Sequence, residues 1–327
     1  MTAAAKTKPA SSGLRIPRWV DKALLVVGLG LFAYVVSRYP LDEIASHVAG
    51  MWPRVALTPL IALSWFSCST SSLYLLLDRR VPWLRLLWIR LVGDSYNSLL
   101  PLAGFGGEPF KIRQLTRSVE SAVVMATLIR DRIVDNSMGF VFGAAELTIG
   151  LTGYHVDARL QVGLIGYIAV CSVLGVLGIA LVRTRLPGRI GGGLARLLGD
   201  AAPDQITPVP LARLAQVLAC CLAARVLGVL EKVTLLWVLG LPHDLVTAMF
   251  VDGVLNAIGY VGFMIPQGLG VFEQTSVFVL GIIGAPGPAG VAFALAGRGR
   301  LLVVGMFGVS LHLAAILRNA IRSARSR

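Results

Sequence analysis

Charged side chains are scarce in this chain, at 14% of residues, where a soluble domain carries about a quarter. A soluble fold of this length needs more of them to cover its surface, so the shortage excludes an ordinary aqueous domain. Acidic residues are scarcer still, with 17 Asp and Glu against 30 Lys and Arg. The resulting net charge of +13 invites a nucleic-acid reading. The basic residues, however, fall in short clusters between apolar runs rather than along one solvated stripe, so they act as topology signals. Cysteine is rare: Cys68, Cys171, Cys220 and Cys221 all lie in apolar runs without CxxC or Cys/His spacing, which leaves neither a disulfide framework nor a zinc site. The histidines (His47, His155, His243 and His312) are scattered, with no HExxH. Residues 28–33, GLGLFA, fit a dinucleotide pattern but sit inside an apolar helix with no strand before them, so no cofactor is expected. No catalytic set and no metal site is legible.

What is abundant is apolar length. Hydrophobic residues make up 56% of the chain, mean hydropathy is +0.76, and several runs reach the roughly 20 residues that a bilayer crossing needs. Residues 1–20 are small, polar and basic, and are expected to form a disordered cytoplasmic tail. Helices are predicted over 21–38, 55–77, 119–151, 160–182, 211–240 and 288–322. Residues 41–52, with Asp42 and Glu43 beside Ile44 and Val48, suit a short interfacial helix. Arginines at 183, 185, 189 and 196 and the Gly/Pro-rich stretch to 210 are predicted to form the main cytoplasmic loop, and 323–327 a basic tail. Gly139 and Gly143 form a GxxxG suited to helix packing.

Two segments break this pattern. Residues 97–114 read NSLLPLAGFGGEPFKIRQ and place a proline, glycines that include Gly104 and Gly106, and Glu108 where a plain spanning helix would carry none. The run before the break, 86–100, spans only about 22 Å at the helical rise, short of the roughly 30 Å hydrocarbon core. Lys111, Arg113 and Arg117 follow at once. A full crossing would put them outside, against the positive-inside bias, so a re-entrant hairpin is predicted. Backbone of that kind at membrane depth must line an interior site. The second segment, 266–273, reads PQGLGVFE, with Gly268 and Gly270, and follows a run containing Asn256. In each segment proline and glutamate are seven positions apart (Pro101 and Glu108, Pro266 and Glu273), and an arginine pair follows 22–27 residues after the glutamate: Arg130/Arg132 and Arg298/Arg300.

Each half therefore reads as helix, helix, re-entrant hairpin, helix, and three crossings per half force the second half to be inverted. The expected fold is an all-α polytopic membrane protein: an inverted repeat of three spanning helices plus one re-entrant hairpin per half, six spanning helices and two hairpins in all, both termini cytoplasmic. Four arginines facing lipid would cost on the order of 10 kcal/mol, so they are expected to face the interior, with Glu108, Asp131, Asp135 and Glu273 as partners. Pro109 suits the first position of a half-helix beginning at Glu108, whose free N–H groups would favour an anion. Glu108 and Glu273 could equally be caps paired to arginines. Arg90 and Asp94, four apart, read first as an intrahelical ion pair, and Arg225, Glu231 and Lys232 are treated alike.

The motifs NSLLPLAGFGGEPFKIRQLTR, LIRDRIVD and PQGLGVFE together resemble the transmembrane flippase-like domain family of bacterial lysylphosphatidylglycerol synthases, whose membrane part also occurs alone, including in hopanoid-biosynthesis-associated membrane proteins. The resemblance spans nearly the whole chain. It implies a flippase-like domain over 21–322, with repeats 21–152 and 160–320, that translocates lipid across the bacterial inner membrane. By position it implicates Asn97, Pro101, Glu108, Arg113, Arg132, Asp135, Pro266, Gly270 and Glu273. Either Arg298 or Arg300 matches the family's second arginine. The soluble aminoacyl-transferase domain of bifunctional members is not seen, so no lipid-modifying reaction is expected. With Gly104, Gly106, Arg130, Asn256 and Gly268 these residues form the candidate substrate-binding set. The partners implied are membrane lipids (an anionic phospholipid, a polyprenyl phosphate or a hopanoid-type lipid) and no nucleic acid; a homo-oligomer and a lipid-synthesis enzyme partner stay open. Two other readings also stay open: an integral-membrane enzyme acting on a lipid or polyprenyl phosphate, and a proton-coupled transporter of a small anion.

Overall fold

A computed structural model describes residues 33–34, 37–51, 54–99, 106–154, 156–197, 208–262, 265 and 268–325. The expected N-terminal tail, most of the first predicted helix and residues 326–327 lie outside them, as do Pro101, Gly104 and Pro266. Among the described residues the fold is entirely helical. The helices are α1 (Leu41–Met51), α2 (Leu57–Leu76), α3 (Trp83–Leu99), α4 (Glu108–Leu115), α5 (Ser121–Gly153), α6 (Ala158–Val182), α7 (Leu186–Leu197), α8 (Leu211–Val238), α9 (Leu245–Gly262), α10 (Val271–Ile282) and α11 (Gly287–Arg325).

Four stretches among these residues are long and apolar enough to cross a membrane: Arg54–Leu76, Ala158–Val182, Leu211–Val238 and Gly287–Arg318. The chain is thus a multi-pass membrane protein. α5 has 33 residues, about 50 Å at the helical rise; it exceeds a bilayer's thickness but carries Arg130, Asp131, Arg132 and Asp135 in its first half. Along α6, Val162, Ile165, Val170, Val173 and Val176 are all exposed, as expected where hydrocarbon is the solvent.

Helix order is the same in two stretches. α1 to α5 have 11, 20, 17, 8 and 33 residues and α7 to α11 have 12, 28, 18, 12 and 39, so each stretch runs short, long, long, short, very long. The packing crosses between them: α2 lies along α8, α5 holds α7 and α9, and α11 holds α1 and α3. A loop is expected over 183–210 from its arginines and glycines, yet Leu186–Leu197 is helical. The reason is spacing, since Leu186, Ile190 and Leu194 recur every four residues on one face. Gly191 meanwhile lets the backbone of α7 sit directly on Ala126 of α5.

Lipid tails are as apolar as leucine, so helix association rests on close packing at small residues rather than on a hydrophobic drive. A side chain at Gly150 would strike Phe250, one at Gly308 would strike Leu91 and Ser95, and one at Gly139 would strike Tyr260. The tightest approach positions the first break: a Cβ at Gly107 would collide with the Gly93 carbonyl, and one at Gly93 with the Lys111 side chain. The turn before α4 is thereby pressed onto the middle of α3. α9 begins at Asp244, whose carboxylate accepts the Thr247 N–H at 3.0 Å and the Thr247 hydroxyl; these donors hold the Asp244 carboxyl below the usual carboxylate range. Apolar clusters form around Leu86, Leu115 and Leu128, around Val134, Val182 and Val217, and around Leu147, Leu235, Phe250 and Phe293. Between them, along α5 and α8, lie the charged residues.

Candidate functional site

On α3, Arg90, Asp94 and Asn97 fall at helical spacings of four and three, on one face. That face meets the turn before α4. The Gly107 N–H donates to Asn97 Oδ1 at 2.6 Å, and Asn97 Nδ2 donates to Asp94 Oδ1 at 3.4 Å. Lys111 Nζ donates to Asp94 Oδ1 at 2.5 Å and to Glu108 Oε1 at 3.1 Å. Glu108, the first residue of α4, also accepts from Arg132 of α5. Arg90 reaches Asp131 at 3.2 Å and the Ser69 carbonyl at 2.9 Å, beside Asp94 at 3.7 Å. It therefore joins three helices as well as pairing within its own.

The second break uses the same parts. Gly270 has φ of 77°, in the left-handed region that glycine tolerates, and it starts α10. Its N–H donates back to Glu273 Oε2 at 2.7 Å, so Glu273 caps its own helix. Arg298 of α11 pairs with both Glu273 oxygens, at 3.0 Å through Nη2, and donates to the Gly268 carbonyl at 3.3 Å. Gly268 is itself left-handed, with φ of 57°. Glu108–Arg132 and Glu273–Arg298 are thus matching pairs: a glutamate opening a short helix, bound to an arginine on the long helix that follows.

The expectation of intrahelical pairing for Arg225, Glu231 and Lys232 is corrected. All three bind across helices: Arg225 to Asp135 at 2.9 Å, Lys232 to Asp252 at 3.0 Å, and Glu231 to Arg300 at 2.9 Å. The cause is that α8 lies against α5, α9 and α11, so its charged face meets opposite charges there before it meets its own.

Two joined cavities open between these helices, one of about 360 Å³ and one of about 250 Å³. Glu231, Lys232, Asp252, Asn256, Arg300 and Leu301 line both. Together they compare with the roughly 300 to 1,000 Å³ of small-molecule sites. Six cations face the space (Arg90, Arg132, Arg225, Lys232, Arg298 and Arg300) against four carboxylates, Asp94, Asp135, Glu231 and Asp252. The walls therefore carry an excess of two positive charges, because Glu108, Asp131 and Glu273 complete their ion pairs from behind the wall. Trp65, Phe66 and Val304 give the larger cavity an apolar side. No group of three or more His, Cys, Asp or Glu among the described residues could hold a metal ion.

Of the candidate residues, Asn97, Arg132, Asp135, Asn256, Arg298 and Arg300 line these cavities. Glu108 and Glu273 stand behind their arginines, while Gly106, Gly268 and Gly270 belong to the turns that aim the two short helices. Arg113 is exposed on α4, and Arg130 is buried away from the cavity walls, at 5% exposure. Arg113 follows Glu108 by five residues and so points elsewhere on a helix of 3.6 residues per turn; Arg130 precedes Arg132 by two and sits on the opposite face. Pro101, Gly104 and Pro266 are outside the described residues. Sequence reasoning passed over Asp252 and Glu146. The available signal was a lone carboxylate in each of two apolar runs, which marks a functional position by default.

Breaking a buried pair from one side strands its partner, at about 3 to 5 kcal/mol. Glu273→Ala and Arg298→Ala are each expected to lower the apparent melting temperature of the detergent-solubilised protein, and the double variant to lose clearly less than the two losses added. Strict additivity would show that the pair carries no coupling.

No curated protein and no solved structure matches the chain. The family described as the lysylphosphatidylglycerol synthase TM region matches residues 20–308. With most of its length covered by that match, the chain belongs to the lysylphosphatidylglycerol synthase transmembrane-region family.

Proposed function

We propose that the protein is an inner-membrane lipid flippase or scramblase that passes an anionic or phosphate-containing lipid through the cavities between α3, α5, α8, α9 and α11. One observation carries this reading: a polar interior with an excess of cations on its walls, inside a bundle whose outward faces are apolar. Family membership supports a role in membrane lipid chemistry. A head group bearing a phosphate would find guanidinium groups able to bind it in pairs of parallel bonds, while its acyl chains stay in hydrocarbon. The wall carboxylates Asp135, Glu231 and Asp252 make the cations' bonds exchangeable. An incoming anion replaces one carboxylate partner with another, so it need not be bound so tightly that it cannot leave.

Residues 41–153 and 186–325 are read as two inverted copies, each with a re-entrant break. The matching helix order, the crossed packing of α5 with α9 and α11 with α3, and the two Glu–Arg pairs support this. α7 adds a short helix to the second copy that answers α1 in the first. The copies would then rock about the α2–α8 contact, opening the cavity to one leaflet and then the other. The first break, entered from the cytoplasm, returns Arg113 to that side. In a cysteine-free background, Arg113→Cys is expected to react with a membrane-impermeant thiol reagent only from the cytoplasmic face; labelling from the periplasmic face alone would contradict the hairpin.

Proteoliposomes with fluorescent head-group-labelled phosphatidylglycerol test translocation. The protein is expected to abolish protection of inner-leaflet label from an impermeant quencher. Arg225→Ala and Lys232→Ala are each expected to slow that loss about tenfold or more, since a hydrogen bond to a charged group is worth roughly 1.5 to 3 kcal/mol. Persistent asymmetry alongside a new lipid product would instead establish the enzyme reading.

A further inference from the structure

Seven cations and seven carboxylates pair within the network around the cavities: Arg90, Lys111, Arg132, Arg225, Lys232, Arg298 and Arg300 with their acidic partners. Glu146 of α5 is an eighth carboxylate. It is fully buried, at 0% exposure, and no described cation lies within ion-pair distance of it. Its Oε2 accepts only a long bond from Asn256 Nδ2, at 3.4 Å, and no donor reaches Oε1. What does reach it is a second acid. Gly253 lets α9 press onto α5 at Glu146 and Leu147, and Asp252, one turn before Asn256 on the same face of α9, is thereby set beside the Glu146 carboxyl. Two ionised carboxylates in contact repel and have no hydrogen to share. One proton between them removes both defects, as in other paired-carboxyl sites.

We propose that Glu146 and Asp252 form a proton-binding site that couples proton uptake to anion occupancy of the neighbouring cavity. The coupling rests on the anionic-lipid reading above, whereas the proton site stands without it. The link is Lys232, whose ammonium binds Asp252 at 3.0 Å and lines both cavities. A nearby cation favours the ionised carboxylate. An anion that draws Lys232 into the cavity weakens that influence, so the acid pair holds a proton more tightly. The proton comes from cavity water, adds to a carboxylate oxygen and displaces nothing. By reciprocity, acidification tightens anion binding, by up to about tenfold per pH unit if one proton is linked. The other charged or titratable groups facing the pair are Arg225 of α8, Tyr260 of α9 and Tyr167 of α6, the latter beside Cys171. α2 carries no charged residue. α7, which carries Arg189 and Arg196, meets α5 at Ala126 through Gly191, roughly 30 Å along α5 from Glu146.

Infrared spectroscopy of the full chain in phosphatidylethanolamine–phosphatidylglycerol vesicles tests the site directly. The native protein is expected to show the carbonyl stretch of a buried protonated carboxylic acid near neutral pH, lost in the near-isosteric Glu146→Gln and shifted in Asp252→Asn. Identical spectra for the native chain and Glu146→Gln would overturn the proton site. In the same vesicles, exchange of labelled phosphatidylglycerol under an imposed pH difference tests the coupling. The native protein should respond by up to tenfold per pH unit, and Glu146→Gln should keep basal exchange and lose the response. Native exchange indifferent to pH would overturn the coupling and leave lipid translocation standing. A carboxylic-acid band without any lipid exchange would support the proton site and overturn the translocation reading together with its coupling.

Discussion

Everything in this bundle depends on charges that cannot be left facing hydrocarbon. An arginine at the centre of a lipid-facing helix costs about 2.5 to 3.5 kcal/mol on insertion scales. Seven such cations would cost on the order of 20 kcal/mol, more than the roughly 5 to 15 kcal/mol by which folded proteins exceed their unfolded states. The helices must therefore be arranged so that each cation finds an acid, and that requirement fixes which faces of α3, α5, α8, α9 and α11 meet. Arg90 ties α3 to α5, Arg225 ties α8 to α5, Lys232 ties α8 to α9, and Arg300 ties α11 to α8. Glycine does the rest, because the charged faces approach only where a neighbouring backbone carries no side chain, as at Gly93 with Gly107 and at Gly253 with Leu147.

Not all of these pairs do the same work. Glu273 has no exposed surface, caps α10 and holds Arg298 and, through it, the Gly268 carbonyl; it is a structural rivet. Asp135, Glu231 and Asp252 face the cavities, and in the proposed translocation they yield their cations to an incoming anion. Glu108 lies between these cases. It accepts from Lys111 and Arg132, and Arg132 in turn faces the cavity, as Arg298 does at the second break. At both breaks the glutamate stands behind an arginine of the cavity wall, and at the second it also caps its own helix.

Much of this was legible in residue order. Helix positions followed from apolar length, the start of α4 from Glu108–Pro109, and the pairing of arginines with Glu108 and Glu273 from the cost of burying charge. What escaped was whatever depends on which helix lies beside which. α7 was hidden because four glycines and two arginines interrupt its leucine–isoleucine period, and because the face that packs on α5 is the glycine face with Ala195. The charges on α8 look like near neighbours in sequence, but their partners come from Asp135, Asp252 and Arg300. Arg113 and Arg130 share the breaks' local pattern and still fall outside the cavity walls, because helical phase, not proximity in sequence, decides which way they face. Asp252 and Glu146 are single carboxylates in apolar runs, and nothing but the contact between α9 and α5 makes them a pair.

The central claim is that the cavities between these helices hold the phosphate-bearing head group of a membrane lipid. Native mass spectrometry of the protein extracted from membranes in mild detergent addresses it most directly. The expected result is a retained phosphate-containing lipid that is depleted in Arg225→Ala and Lys232→Ala while the variants stay folded. Retention of only neutral lipids, or of phospholipids in equal amount by the native chain and both variants, would contradict it.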